Sequence, residues 1–304
     1  MKIGVVLLNW NTPEITKQCV TSLLGGIRSP DFILVWDNAS DDSTCGNLLQ
    51  IFPEVDLVQS KNNLGFAAAN NEGADRLLNK GADAVWILNN DTVVDPNCLK
   101  ELVEYLQVHP DTAAVTCTIL SEHPAETIWY GGGSFSRCLL KPIHENMGEP
   151  KASTSLKESS VSFMSGCSML IRSEVLKEVG LFHRDYFMYY EDAEWSLRMR
   201  ARGHDMKIVS SASLIHLGSV SVKKRDPSSG VLSPFQHYYQ SRNHLWTLQL
   251  HSPHLLVKGF RCGLLSFRLL GYALGNAVKG EFSKTTSIFR GLLHGWIHVP
   301  GPAK

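Results

Sequence analysis

Short apolar segments alternate with helical patterns through about the first hundred residues, and this alternation constrains the fold more than any other feature. Ile3–Leu8 is continuously apolar, as is typical of a strand buried on both faces. We predict three further strands at 32–36, 55–59 and 84–88. A helix is predicted after each strand: at 13–24, ending near residue 52, at 66–79 and at 96–108. The pattern predicts βαβ units and an α/β fold with a mostly parallel sheet flanked by helices.

Polar residues follow each of the four predicted strands. The clusters are Asn9-Trp10-Asn11, Asp37-Asn38, Asn62-Asn63 and Asn89-Asn90-Asp91. Because the carboxyl ends of parallel strands meet at one edge of a sheet, we expect these clusters to converge there. The sequence therefore predicts a ligand site at that edge.

The rest of the chain is irregular at first and then resumes ordered patterns. We expect acceptor-facing loops over 121–160, and further ordered segments at 161–172, 173–179, 191–202, 206–209 and 213–216. The predicted catalytic domain spans 1–225, with a donor-binding half to about 118 and an acceptor-binding, catalytic half after it. The predicted linker is 226–234, which is rich in turn-forming residues, and 235–304 is a basic, largely helical C-terminal region.

Charge is balanced overall but divided unevenly along the chain. The formal net charge is zero, so no global field favours nucleic acid. From Phe235 to the C-terminus there are eight basic residues and one acidic residue, Glu281. Within the apolar stretch 255–278 and just after it, four bases fall on one helical face: Lys258, Arg261, Arg268 and Lys279. We predict an amphipathic helix on an anionic membrane surface. The alternative is packing against the catalytic domain or a second subunit, as in a homodimer.

The seven cysteines are scattered and form no CxxC pair, which argues against a disulfide framework and for a reducing compartment. No signal-peptide pattern precedes the first strand. We therefore expect a cytoplasmic enzyme, peripheral on the cytosolic face of the membrane.

Four positions are candidates for chemistry, and each has a plainer alternative. Asp91, at a strand end, is placed to bind a hard divalent cation that offsets diphosphate charge, or it belongs to a simple turn. Asp37 is placed to accept the imide N–H of uracil or thymine, or it caps a helix. Asp192 has large aromatic neighbours and suits a general base, although acids also stabilise helix starts. His216 is a metal ligand, or a structural histidine.

Taken together, six motifs resemble the family 2 inverting glycosyltransferases of the GT-A fold, and the rhamnosyltransferase-like branch in particular. The matching stretches keep their order from residue 3 to about 221: Val5–Asn11, Val35–Asp41, Asn62–Asn70, Ile87–Asp91, Glu191–Trp195 and His216–Ser221.

The resemblance implies a role for each matching position. Donor-binding residues are Asn9, Trp10, Asn11, Asp37, Asn38, Asn63, Gly65, Asn70 and Asn90. Metal ligands for Mn²⁺ or Mg²⁺ are Asp91, His216 and Asn89. Catalytic residues are Asp192, the base, and Glu191. We place Glu194, Trp195 and Tyr190 at the acceptor. Asn89 departs from the family pattern, which has an acid at the start of this DxD-type motif, and its neutral oxygen implies a weaker metal site.

The implied reaction is a single in-line displacement from a nucleotide-diphosphate sugar to a glycan or lipid-linked glycan acceptor in cell-surface polysaccharide synthesis. The branch favours dTDP-rhamnose as the donor, with a UDP-sugar next. One alternative is a nucleotidyltransferase acting on sugar phosphates, although no Gly-rich basic loop follows the first strand. Another is a non-catalytic sugar-nucleotide-binding membrane scaffold.

Overall fold

The computed structural model of the 304-residue chain describes residues 1–41, 50–124, 126–218 and 232–301. Its strands are β1 Ile3–Asn9, β2 Phe32–Asp37, β3 Val55–Gln59, β4 Ala84–Asn89, β5 Thr92–Val94, β6 Thr112–Ser121, β7 Thr127–Tyr130, β8 Gly133–Phe135, β9 Pro142–His144, β10 Ser159–Ser160, β11 Ser168–Arg172 and β12 Asp205–His216. Its α-helices are α1 Pro13–Leu24, α2 Gly65–Asn79, α3 Cys98–Val108, α4 Ser173–Val179, α5 Glu191–Ala201, α6 Pro234–His251, α7 Leu255–Val278 and α8 Phe282–Ile297.

One mixed sheet forms the centre of the molecule, and its four predicted strands, β1 to β4, run parallel to one another as expected. The order along the sheet is β10-β12-β6-β11-β4-β1-β2-β3, with β5 and β7 paired to β12 and β6. In the register of β1, Asn9 lies opposite Asp37 of β2, and Leu8 lies opposite Asn89 of β4. The sheet therefore brings three of the predicted polar clusters to one edge.

The strand β12 carries the C-terminal half of the site toward the same edge. It runs parallel to β6 and is irregular between Val209 and Ser213, so the two short strands predicted there are one strand. Its last residue, His216, pairs antiparallel with Thr92 of β5, directly after the cluster that ends in Asp91. Backbone pairing thus joins segments more than a hundred residues apart in the sequence.

Helix α2 packs tightly against the centre of the sheet because glycine allows close approach. A Cβ at Gly73 would lie 2.6 Å from Cγ1 of Val6, so a larger residue would push the helix off β1. Ala67, Ala69 and Ala74 on the same helix are buried in the main apolar core. The small residues of α2 therefore fix the height of its N-terminus above the sheet edge.

The region 121–160, predicted as loops, contains short strands. β7 pairs with β6, and β8 and β9 form a separate two-stranded hairpin. The predicted helix before residue 52 falls mostly on residues outside the described part of the chain, as do 226–231 of the predicted linker and Ser219–Ser221 of the last motif.

The helices α6, α7 and α8 pack together at the C-terminal end. α6 begins at a capping box in which Ser233 and Gln236 bond each other's backbone N–H. A second apolar cluster joins these helices to Leu139 in the β8–β9 turn. Among the described residues, no helix has both the length and the apolarity needed to cross a bilayer. The α/β fold with a mostly parallel sheet and C-terminal helices is confirmed.

Candidate active site

A cavity of about 460 Å³ opens at the carboxyl ends of β1 and β4. Its polar lining comes from all parts of the chain: Trp10, Asn89, Asn90, Asp91, Tyr189, Tyr190, Glu191, Asp192, His216 and Gln240. A larger cavity of about 560 Å³ lies elsewhere, around Asp75 and Arg184, and contains none of the predicted site residues. The convergence of separate predicted motifs makes the smaller cavity the candidate active site.

Asp91 and His216 face each other in this cavity. Nε2 of His216 lies 3.2 Å from Oδ1 of Asp91, and both side chains are largely buried. The ring of Trp129, from β7, packs 4.8 Å from the imidazole, and its carbonyl bonds Nδ1 of His144. The Trp129 ring thus packs against the His216 imidazole and helps hold it beside the Asp91 carboxylate.

The three metal-binding residues predicted from sequence, Asp91, His216 and Asn89, all line this cavity. Asn90, predicted to bind the donor, also lines it, and its Nδ2 donates to the hydroxyls of Thr12 and Thr16. The described residues contain no cluster of three or more His, Cys, Asp or Glu side chains able to hold a metal. One carboxylate, one imidazole and one amide fit a cation that takes its remaining oxygen ligands from elsewhere.

Two adjacent acids at the start of α5, Glu191 and Asp192, also line the cavity. Asp192 accepts hydrogen bonds from the backbone N–H of Gly166, at 3.0 Å, and of Ala193, at 2.7 Å. Burial raises the pKa of Asp192, and these bonds oppose that rise. Burial and the charge of Asp192 raise the pKa of Glu191 well above its ordinary value, and Glu191 Oε2 is buried with no hydrogen-bond partner. Asp192 is therefore the member of the pair that ionises first.

The segment just before these acids has an unusual backbone. Phe187, Tyr189 and Tyr190 have φ values of 62°, 68° and 69°, in the left-handed region that large side chains rarely adopt. Such conformations persist only where surrounding contacts enforce them. We define Tyr186–Tyr190 as the aromatic loop.

Asn243 of α6 holds the aromatic loop through its backbone. Its buried Nδ2 lies 2.9, 2.8 and 2.7 Å from the carbonyl oxygens of Tyr186, Met188 and Tyr189. Nη2 of Arg242 adds a second bond to the carbonyl of Tyr186, at 3.0 Å. The C-terminal helices are thus part of the site's structure, a role that the sequence did not reveal.

The N-terminus of α2 holds another carbonyl of the loop, that of Phe187. The backbone N–H groups of Phe66 and Ala67 donate to the oxygen of Phe187, at 2.6 and 3.1 Å. Gly65 has φ +79°, and a Cβ there would lie 2.5 Å from the Phe187 ring. From the sequence, Gly65 was expected to let the backbone approach the donor. In the structure, the absence of a side chain at Gly65 leaves room for the Phe187 ring of the aromatic loop.

Asp37 is not among the residues that line this cavity; it lies in a buried polar network at the end of β2, opposite Asn9 of β1. Its Oδ1 accepts hydrogen bonds from Nδ2 of Asn9, at 2.9 Å, and from the hydroxyl of Ser40. Asn9 is fully buried, and its own Oδ1 accepts from Thr16. The backbone N–H of Asn11 also bonds the Ser40 hydroxyl. Asn9 therefore positions Asp37 and has no open face for a donor, contrary to its predicted role.

Other predicted donor residues are engaged within the protein. Nδ2 of Asn38 donates to Oδ1 of Asn63, which also accepts from the N–H of Gly65, and these bonds tie the loop before α2 to β2. Asn70 is buried and donates back to the carbonyl of Phe66. These three asparagines therefore stabilise the backbone around the site through hydrogen bonds within the protein.

Two residues predicted to bind the acceptor lie away from the cavity. Glu194 is buried between Arg198 and His251, and although burial opposes its ionisation, these partners hold its pKa below the ordinary value. Trp195 is fully buried and donates to the carbonyl of Gly180. Both point into the protein, so we withdraw their assignment to the acceptor. Tyr190 does line the cavity, with its ring stacked on His244.

The fold and the cavity together define a nucleotide-sugar transferase of the GT-A class, and sequence comparison identifies the family. The chain belongs to the family described as Glycosyltransferase like family 2, whose sequence model matches residues 2–235.

Three curated relatives resemble the chain. It is 27% identical to O-antigen biosynthesis protein RfbC of Myxococcus xanthus over 92% of its own length, but it spans only 23% of that protein. It is 27% identical to dTDP-rhamnosyl transferase RfbF of Shigella flexneri, over 84% of this chain and 82% of the relative. It is 25% identical to N-acetylglucosaminyl-diphospho-decaprenol L-rhamnosyltransferase of Mycobacterium tuberculosis, over 75% of this chain and 79% of that relative.

Solved structures share the fold at low sequence identity. A crystal structure of GalNAc-T7 with UDP, GalNAc and Mn²⁺ matches with a TM-score of 0.63 and 16% identity. The match covers 82% of this chain and 48% of that one. It supports the shared architecture.

Replacing Asn243 with Asp should destabilise the protein, because the isosteric carboxylate cannot donate to the three carbonyls of the aromatic loop. We expect a loss of about 2–4 kcal/mol in the free energy of unfolding, measured by urea denaturation. Asn97→Asp, the same change at an exposed position before α3, should have little effect. Equal stability of the Asn243 variant and wild type would show that the loop does not depend on this amide.

Proposed function

We propose that this glycosyltransferase transfers rhamnose from dTDP-rhamnose, with inversion, to a glycan or lipid-linked glycan acceptor in cell-surface polysaccharide synthesis. The observation that carries the proposal is that Asp192 lines the same cavity as the Asp91–His216 pair. The rhamnosyltransferase names of two relatives, RfbF and the Mycobacterium tuberculosis enzyme, support the choice of sugar. A UDP-sugar is the second candidate, because the GalNAc-T7 structure contains UDP.

Asp192 is the proposed general base. Its carboxylate takes the proton of the acceptor hydroxyl as that oxygen attacks the anomeric carbon, and the bond from that carbon to the diphosphate breaks. Attack from the face opposite the leaving group inverts the configuration. The pKa of Glu191 is raised well above its ordinary value by burial and by the charge of Asp192, so Glu191 is the weaker candidate for the base.

Asp91, His216 and Asn89 would hold a divalent cation, which supplies positive charge beside the departing diphosphate. The donor set favours Mn²⁺ or Mg²⁺, since Mn²⁺ accepts both imidazole and oxygen and Mg²⁺ prefers oxygen. With a single carboxylate, binding should be weak and strengthened by donor diphosphate oxygens.

Asp37 and Trp10 are proposed to bind the nucleoside. The carboxylate of Asp37, held by Asn9 and Ser40, would accept the imide N–H that thymine and uracil share. This contact would not distinguish the two bases. Comparison of dTDP-, UDP- and GDP-sugars as donors distinguishes them.

Incubation with dTDP-rhamnose and a lipid-diphosphate sugar acceptor should release dTDP. The expected result is dTDP in the chromatogram and a higher melting temperature with dTDP-rhamnose than with UDP- or GDP-sugars, because one relative is named a dTDP-rhamnosyl transferase and a bound donor stabilises the folded state. Release of pyrophosphate would instead indicate a nucleotidyltransferase. Absence of donor binding by calorimetry would favour a non-catalytic scaffold.

Asp192→Asn should lower kcat by a factor on the order of 100 or more, with donor KM nearly unchanged, because the amide cannot take a proton. Since burial raises the Asp192 pKa, wild-type activity should fall on acidification at a higher pH than for an ordinary aspartate of pKa about 3.9. The variant should lose this acid limb. Asp185→Asn, at an exposed position before the aromatic loop, is the matched control. Unchanged turnover in the Asp192 variant would rule out the base assignment.

EDTA should abolish activity, and Mn²⁺ or Mg²⁺ should restore it. His216→Ala should raise the Mn²⁺ concentration needed for half-maximal activity on the order of tenfold, because one ligand is lost. His204→Ala, which removes a histidine paired with Glu178 outside the cavity, should respond like wild type. Full activity of wild type in EDTA would refute the metal site.

A further inference from the structure

The helices α7 and α8 expose an apolar surface that the described chain leaves uncovered. About two thirds of the large apolar side chains exposed among the described residues fall between Leu255 and Val299. Monomeric proteins rarely expose so much contiguous apolar area without a binding role. We propose that this surface docks onto an anionic lipid bilayer, with both helices lying flat on it, and we call it the apolar face.

On α7 the apolar face is a continuous stripe. Its members, with exposed fractions of 65% to 85%, are Leu256, Phe260, Phe267, Leu274 and Val278. At about 100° per residue these positions fall within roughly 40° of one another. Cys262, Leu265 and Ala273 are buried on a different side, against the second apolar cluster. The stripe therefore does not serve the packing of the helix on the protein.

α8 continues the same surface beside α7. Its exposed apolar residues are Phe282, Phe289, Leu293, Trp296 and Ile297. Nε1 of Trp296 bonds the hydroxyl of Ser266, at 3.2 Å, which joins the two helices side by side. On its other side, a Cβ at Gly291 would lie 2.6 Å from the carbonyl of Tyr238, so this side of α8 packs against α6. α7 and α8 run antiparallel, since Trp296 bonds Ser266 and Thr285 bonds Ala273. On each helix the exposed stripe lies away from the side that packs against the rest of the protein.

The charges that flank the apolar face are almost all positive. Arg261 and Arg268 on α7 and Lys279, which directly follows it, fall within about 20° of one another, roughly 110° around the helix from the centre of the stripe. The single acid of the region, Glu281, is paired with Lys284 at 2.9 Å. A row of bases next to exposed aromatic and aliphatic side chains matches the acyl and headgroup layers of an anionic bilayer.

The same charges disfavour a second copy of the chain as the occupant. A two-fold dimer would place this surface against itself and bring both rows of bases together. A bilayer with acidic headgroups neutralises them instead.

The apolar face is connected to the rim of the candidate active site. Nη2 of Arg261 donates to the carbonyl of Arg137, and Nε2 of His244 lies 2.6 Å from the carbonyl of Leu139, both in the β8–β9 turn. Pro142 and His144 of the same hairpin line the cavity. Docking on lipid would hold this rim close to the membrane surface.

Flotation with vesicles tests the proposal. Wild type should bind phosphatidylcholine vesicles that contain phosphatidylglycerol and bind pure phosphatidylcholine much more weakly. The triple variant Phe260→Ser, Phe267→Ser, Leu274→Ser should lose affinity by a factor on the order of 100. Arg268→Ser and Lys279→Ser should each cost about fivefold and reduce the salt sensitivity of binding. Circular dichroism and nucleotide-induced thermal shifts check that each variant is folded.

The matched control is the triple variant Ile27→Ser, Val108→Ser, Met147→Ser, which changes equally exposed apolar residues elsewhere on the surface. It should bind anionic vesicles as wild type does. Equal wild-type affinity for the two vesicle types, or no loss in the α7 triple variant, would overturn the proposal. Sedimentation velocity gives a further contrary outcome: a wild-type dimer that binds no vesicles and that the α7 variant converts to monomer.

Discussion

The buried backbone of the aromatic loop imposes the constraint on which the rest of the site depends. Buried carbonyl groups must find donors, and a left-handed backbone cannot supply them through regular helix or sheet. Asn243 and the N-terminus of α2 provide those donors from opposite sides. The start of α5, and with it Asp192, is therefore placed by two helices that are remote in sequence.

This arrangement changes the meaning of the C-terminal region. The sequence predicted a basic tail beyond the catalytic domain, and a boundary at residue 225 remains a prediction. Yet α6 contributes Asn243 to the aromatic loop and Gln240 to the cavity lining. The outer surfaces of α7 and α8, in contrast, are exposed and not covered by any described part of the chain. The region thus has two faces, one supporting the site and one directed outward.

The sequence was most informative where a physical pattern is local and periodic. Apolar runs located β1 to β4, and parallel pairing then brought Asn89 to the edge that carries Trp10. The motifs did not show which of their side chains would face the cavity. Asp192 and Glu194 lie about 200° apart around a helix, so only one of them could line the cavity, and the sequence did not show which. Asn243 had no recognisable spacing, because its partners are backbone carbonyls and not side chains.

The carbonyl of Phe187 occupies the first N–H groups of α2, and this has a consequence for anion binding. In many nucleotide-binding α/β proteins, such a helix start cradles phosphate with its backbone amides and its dipole. Here Phe66 and Ala67 are already engaged, and the preceding N–H groups of Leu64 and Gly65 bond to Asn38 and Asn63. The diphosphate of a nucleotide sugar would therefore find the N–H groups of residues 64–67 already engaged. On the proposed function, its negative charge would be balanced elsewhere along the sheet edge, beside β4 and β12.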